Sequence, residues 1–294
     1  MRNASPIYAK KTGIEEIRST IKTILEKLDG DFKIANGYRI CIKPNICILK
    51  KSNTGITTDP LVVKAIIENI RDRWNCEINI VESDATTNNL EAAFSALGWR
   101  KIAKDLDVNL INLSRDNKVK TDFKGLCISK PKIAKTLKEC DLLISVPKLK
   151  AHEITGITGV LKNQFGCLSR RRKVRYHPNI NEAIVDAATI FKPHLSIVDA
   201  IITNKGGVMT GTPIISNLIL AGTDPVALDS ASAKIIGLNP HRIKHLEIAE
   251  RLGLGSRKFI LKGDVDKIRV LNLYSPNLLD KITSLFVKTT SRGA

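Results

Sequence analysis

Short β-branched runs alternate with segments of helical periodicity along most of this chain. The runs YRICIK (38–43), EINIVE (77–82), VNLINL (108–113), DLLISV (141–146) and LSIVDAI (195–201) are rich in isoleucine and valine and bounded by polar residues, as strands are. Between them, GIEEIRSTIKTILEKL puts Ile14, Ile17, Ile21, Ile24 and Leu25 on one helical face. PLVVKAIIENIRDRW (60–74), NLEAAFSALGW (89–99), INEAIVDAATIF (180–191) and PVALDSASAKIIG (225–237) read as further helices. Parallel strands need long crossovers, so the rhythm predicts an α/β fold with a mostly parallel sheet flanked by helices. Strands are also expected at IYAK, NLILAG (217–222) and IRVLNL (268–273), a shorter helix around 242–252, and one amphipathic helix in the tail PNLLDKITSLFVKTTSRGA. No shift of composition marks a linker, so residues 1–294 read as a single α/β domain, with 164–178 as a basic lid loop.

The polar clusters follow the strands. IKPN ends at Asn45, VESD at Asp84, VPKLKAH at His152, VDA carries Asp199 and LAGTDP carries Asp224. In open α/β sheets the loops beyond the carboxyl ends of the strands converge on a crevice toward which helix N-termini point their free N–H groups. A site is therefore expected there.

The stretch KLKAHEITGITGVLKN (148–163) is its most specific element. Lys148, Lys150 and His152 alternate and face one side if the backbone is extended. Thr155-Gly156 and Thr158-Gly159 allow close backbone approach, and with Lys162 and Asn163 they suggest an anion cradle. The bland alternative is a solvated loop with a hydrogen-bonded histidine. Neither a phosphate-binding P-loop nor a dinucleotide fingerprint is present.

Other residues also carry two readings. Thr58-Asp59-Pro60 and Thr223-Asp224-Pro225 are the same tripeptide before two helices, so Asp59 and Asp224 are either N-caps or ligand contacts. Asp229 lies within the second of these helices, on an exposed face or at the site. Lys43 ends a strand that otherwise reads as buried, where an ammonium must reach water or an anion. His177 closes SRRRKVRYH, read either as a lid bringing Tyr176 and His177 to the site or as an arm that docks a polyanion. His241 and His245 read as surface residues.

Lysine and arginine number 47 against 29 acidic residues, a net charge of +18 that favours anionic partners. Six isolated cysteines give no C-x-x-C pair, so no intrinsic iron–sulfur cluster is expected. With no charge-free apolar run of about 18 residues and no secretory h-region near the start, the chain is expected to be cytoplasmic and not to engage a membrane. Aromatics at 4% argue against single-stranded nucleic acid as a partner.

CIKPNI, TTDP, VPKLKAHEITGITGVLKNQFGC, RYH, IVDAI and LAGTDPVALDSASAKIIG, in this order over roughly residues 35 to 255, resemble the domain-of-unknown-function family 362. Members of that family are often joined to iron–sulfur ferredoxin segments. The resemblance implies that a redox role here would need a separate ferredoxin-like partner. More distantly, the strand-exit Pro-Asn and the histidine before a glycine-lysine stretch look like the N-terminal domain of nickel-pincer lactate racemases. There a lysine carries the cofactor and a histidine binds nickel. That similarity implies Lys148, Lys150 or Lys162 and His152 as counterparts.

These readings converge on an enzyme, or a cofactor-dependent oxidoreductase-like protein, acting on a small phosphate- or carboxylate-bearing ligand. His152, Lys162 and His177 are its expected catalytic groups. Lys43, Asn45, Thr58, Asp59, Lys148, Lys150, Thr158, Gly159 and Asn163 are its expected ligand contacts. His152, Asp199 and Asp224 would be the set for a divalent metal, should the unnamed cofactor be one. The competing expectation is a non-catalytic basic module that docks nucleic acid or an acidic redox partner through Arg170, Arg171 and Arg172.

Overall fold

The computed structural model describes residues 3–85, 89–168, 173–207 and 211–273. In chain order the elements are β1 (Ser5–Lys11), α1 (Ile17–Lys27), β2 (Arg39–Pro44), α2 (Pro60–Arg71), β3 (Glu77–Glu82), α3 (Leu90–Ala96) and α4 (Trp99–Asp105). There follow β4 (Asn109–Asn112), β5 (Lys118–Lys120), β6 (Lys132–Ala134), α5 (Lys135–Glu139), β7 (Leu142–Val146), β8 (Lys148–His152), β9 (Gly156–Thr158) and α6 (Val160–Gln164). The chain continues through α7 (Ile180–Ile190), β10 (Leu195–Lys205), β11 (Thr212–Gly222), α8 (Pro225–Ile235), α9 (Lys244–Arg251) and β12 (Phe259–Gly263).

The main sheet runs β12-β1-β11-β10-β7-β2-β3-β4, with β8 paired to β10 and β9 to β8. The pairings β2 with β3 and β7, β3 with β4, β10 with β7 and β8, and β1 with β12 are parallel, which bears out the α/β expectation. Alternation sorts side chains onto two faces. Ile40, Ile42, Ile78, Ile80, Leu142, Ile144 and Ile197 pack with Ile21, Ile24, Val63 and Ile66 of α1 and α2. On the other face, Val198, Ala200, Leu218 and Leu220 pack with Leu161, Ile184, Leu228 and Leu246 of α6 to α9. Cys41, Val81 and Leu143 point to that second face, against Cys167, Ala183 and Ala187.

KLKAH is extended, as the alternation of Lys148, Lys150 and His152 suggested, and forms strand β8, which continues the line of β7 past Pro147 along the same neighbour, β10. Two local departures from expectation also matter. β11 runs antiparallel to β10, pairing Gly222 with Ser196 near the start of β10. Its exit, with Asp224, therefore lies at the opposite sheet edge from the exits of β2, β3 and β7. Finally, IRVLNL is not a strand: Leu271 and Leu273 donate to the carbonyls of Ile235 and Ile236, pinning the segment across the end of α8. The sheet edge is taken instead by β12, parallel to β1.

The tail from 276 onward, the middle of the turn NKGGVMTG and Arg170, Arg171 and Arg172 lie outside the described residues. Among the described residues no helix is long and apolar enough to cross a membrane.

Candidate functional site

The identical tripeptides before α2 and α8 are helix caps. Asp59 accepts from Leu61 N at 2.9 Å, and Asp224 accepts from Val226 N and Ala227 N, each at 2.9 Å. Pro60 and Pro225 follow at the first helical position, where their missing N–H costs nothing. Asp59 also takes Ser52 Oγ, and Asp224 takes Ser5 Oγ and Ser256 N. Thr58 fastens two strand exits together, receiving Asn45 N on its hydroxyl and donating to Val146 O.

The glycine cradle is filled from within. Asp229, buried in α8, accepts from Val160 N at 2.6 Å and Leu161 N at 2.9 Å, so an internal carboxylate occupies the amides that open α6. A Cβ at Gly159 would collide with this carboxylate. Burial raises the Asp229 carboxyl to about 7 against the lowering effect of the two amides. Gly159 thus admits Asp229, not an outside anion. Thr158 keeps a buried hydroxyl with no partner among the described residues.

An open cleft lies beyond β2 and β3. It has a volume of about 190 Å³ and is lined by Lys43, Asn45, Cys47, Glu82, Ser83, Lys162, Asn163, Phe165, Gly166, Lys173 and His177, among others. Glu82, Ser83 and Gly166 enter from the exit of β3 and from the turn after α6, and Lys173 and His177 from the 3₁₀ segment Lys173–Asn179. The expected lid thus supplies one wall. Tyr176 turns inward onto Phe165, with centroids 6.0 Å apart, and Arg175 stacks on the Tyr176 ring.

The lysines around this cleft differ in how many of their three N–H donors are used. Lys43 is saturated, donating to Pro44 O at 2.9 Å, Glu82 Oε2 at 2.8 Å and Asn163 Oδ1 at 3.2 Å. Glu82 is held in turn by Ile46 N and Ser83 N. Gly166 is required here, because a Cβ would come within 2.7 Å of both Lys43 Nζ and Glu82 Oε1. Lys150 is saturated as well, by Asn45 Oδ1, Cys47 Sγ and Ile56 O. Lys148 is buried in an ion pair with Asp199 at 2.9 Å, and Asp199 also takes Asp59 N and Ile201 N. These pairs are internal supports.

Two lysines remain open. Lys173 donates to Ser83 Oγ at 2.6 Å and Gly166 O at 3.3 Å, leaving one N–H. Lys162, half-buried in α6, makes no hydrogen bond or ion pair with any described residue. Burial lowers the Lys162 ammonium from 10.5 to about 8, with Lys150 adding to the effect and Cys47 and Glu153 opposing it. Burial likewise brings Lys173 to about 8 despite the Glu82 charge.

Three histidines surround Lys162 electrostatically. Burial is the main cause that lowers His152, His177 and His245, and the Lys162 charge contributes to each. All three are neutral near pH 7. His152 Nδ1 accepts from Ile154 N at 3.2 Å. His245 is fully buried, is lowered to about 3, and has neither ring nitrogen paired. It is not the surface residue expected, because α9 turns it inward with Ile248 and Ala249. That spacing of three and four residues was the available signal. Lys173 and Ser83 carried no such signal.

The structure therefore brings Lys43, Asn45, Lys162, Asn163 and His177 to one cleft; Lys150 bonds to its lining residues Asn45 and Cys47, and His152 lies outside the lining, within electrostatic reach of Lys162. It does not bring Thr58, Asp59, Lys148, Thr158 or Gly159 into the lining. The set His152, Asp199 and Asp224 does not converge: Asp224 caps α8 at the far sheet edge, and Asp199 is committed to Lys148 and backbone amides. Among the described residues no group of three or more His, Cys, Asp or Glu is placed to hold a metal ion.

This architecture can be set beside known proteins. The family model described as "Domain of unknown function (DUF362)" matches residues 40–234. The chain belongs to this family. The match spans β2 to α8 and so contains every cleft residue named above. Among curated relatives, the thylakoid-associated protein sll1697 of Synechocystis sp. is 27% identical over 263 residues, covering 86% of this chain and 80% of the relative. Among solved structures, the lactate racemase apoprotein from Thermoanaerobacterium thermosaccharolyticum aligns with a TM-score of 0.46 and 14% identity. That alignment covers 86% of this chain and 58% of the racemase chain.

Proposed function

We propose that this DUF362 protein is an enzyme that binds a small anionic compound, carrying a carboxylate or phosphate, in the cleft between Lys162 and Lys173. The observation that carries this reading is the contrast in donor use: Lys43 and Lys150 are satisfied internally, while Lys162 and Lys173 have N–H groups left for a ligand. An uncompensated ammonium in a partly buried site is costly, and an anion offsets that cost. The volume of about 190 Å³ is well above what one water needs and below the roughly 300 Å³ where drug-sized pockets begin, which favours a small ligand. His177, neutral and on the cleft wall, is suited to exchange a proton with that ligand, and His152, electrostatically linked to Lys162 and His177, could serve as a second proton carrier.

Inorganic phosphate or a short carboxylate should raise the thermal midpoint of the protein, as a ligand bound only to the folded state does. The rise should vanish when Lys162→Met and Lys173→Met are combined. No rise at millimolar anion, or an undiminished rise in the double variant, overturns the reading. In this reading the protein acts in the cytoplasm; association with thylakoids is named for the Synechocystis relative. Docking of nucleic acid through the basic cluster is less well supported, since Lys173 is buried and Arg175 lies over Tyr176. A ferredoxin-like partner would be a separate addition to this reading, approaching from outside the cleft.

A further inference from the structure

We propose that Lys162 captures the carbonyl group of a small 2-oxo acid as an imine while Lys173 holds the adjoining carboxylate. The inference deepens the anion reading above and rests on it. An amine that attacks a carbonyl must be neutral part of the time, accessible, and free of acceptors that would hold it as an ammonium. Lys162 meets each requirement. It lines the cleft, no described residue accepts from its Nζ, and burial together with the Lys150 charge weakens its hold on the proton.

The other lysines of the cleft do not meet them. Lys43 is tied by three acceptors, including the Glu82 carboxylate at 2.8 Å. Lys173 is tied by Ser83 and Gly166 and keeps one N–H, which suits a carboxylate oxygen more than nucleophilic attack. A compound with a carboxylate next to a carbonyl offers each open lysine the group it suits. It is also small enough for about 190 Å³.

The step balances without an oxidant. The neutral amine of Lys162 adds to the carbonyl carbon, and the carbonyl oxygen takes a proton, giving a carbinolamine. A proton from solvent, relayed through His177, then lets the hydroxyl leave as water while the nitrogen lone pair closes the C=N bond, leaving a cationic iminium. His177 on the same wall is placed in the cleft to move these protons.

Trapping tests this directly. The intact protein is incubated with pyruvate and reduced with sodium borohydride, with acetone as a carbonyl lacking the anion and propionate as an anion lacking the ketone. Intact-mass and peptide analysis should find one reduced pyruvyl group, on the peptide containing Lys162, and far less from acetone. Lys162→Arg should take none while keeping its thermal unfolding transition. Lys173→Met should cut the yield at fixed subsaturating pyruvate by about tenfold, the expected loss of one charge-assisted contact. No adduct in folded protein, or an equal yield spread over many lysines that persists in Lys162→Arg, overturns the inference. Calorimetry with propionate separates the two readings: binding without an adduct leaves the anion site and removes the imine, and neither binding nor an adduct removes both.

Discussion

Lys43 and Lys162 line the same cleft and differ in nearly everything else. Lys43, at the end of β2, is fully buried and spends all three donors on Pro44, Glu82 and Asn163. Lys162, on the short helix α6, is half-buried and spends none on a described residue. The difference teaches that position in a cleft does not by itself leave a lysine available to a ligand. The number of donors already committed decides that.

Breaking the closed side should have the largest effect. Lys43→Met leaves Glu82 buried without its cation, and breaking such a pair costs about 3–5 kcal/mol. Chemical denaturation should show this loss, whereas Lys162→Met, which removes a partly buried ammonium with no partner among the described residues, should leave stability at pH 7 unchanged or raised. Equal losses would erase the contrast.

Gly166→Ala probes the same support more gently. Its Cβ would press within 2.7 Å of Lys43 Nζ and Glu82 Oε1, and overpacking of that kind costs about 1–3 kcal/mol. Relief of that cost in a Gly166→Ala, Lys43→Met double variant, measured as a coupling energy, would sharpen the assignment.

His245 offers a change of the opposite sign. Its two unpaired ring nitrogens are buried, so His245→Leu should stabilise the protein by about 1 kcal/mol. A stability gain joined to loss of anion binding or trapping would mark it as a residue kept for function at a cost in stability. A stability loss would show that the ring is needed for packing.

A titration probes the open side by itself. The folded-state value of Lys162, about 8, lies below its ordinary 10.5, so between these values the unfolded chain binds more protons than the folded one. Stability from this group therefore rises with pH across that window and is flat below it. The rise should be shallower in Lys162→Met. Acylation of Lys162, followed by peptide mapping, should likewise reach half its maximal rate near pH 8.

Much of the frame was legible beforehand. Isoleucine- and valine-rich runs alternating with helical spacing gave the parallel sheet, and Asp-Pro before two apolar segments marked the starts of α2 and α8. Of the site, Lys43, Asn45, Lys162, Asn163 and His177 were visible as polar residues after strands or in the lid segment. Asp224 was misplaced because strand direction is a pairing property: β11 reads like any other buried run, and only its antiparallel register with β10 reverses its exit.

The sequence by itself determined most of the strands and helices that frame the main sheet and that lysines would gather at strand exits, because periodicity and charge are local properties. Tertiary structure alone decided which cations stay available. Asp199 meets Lys148 across 51 positions of chain, Glu82 meets Lys43 across 39, and Asp229 reaches the amides of α6 across 69 and 68. A charge is neutralised by whatever the fold brings within hydrogen-bonding distance, and no local pattern carries that distance.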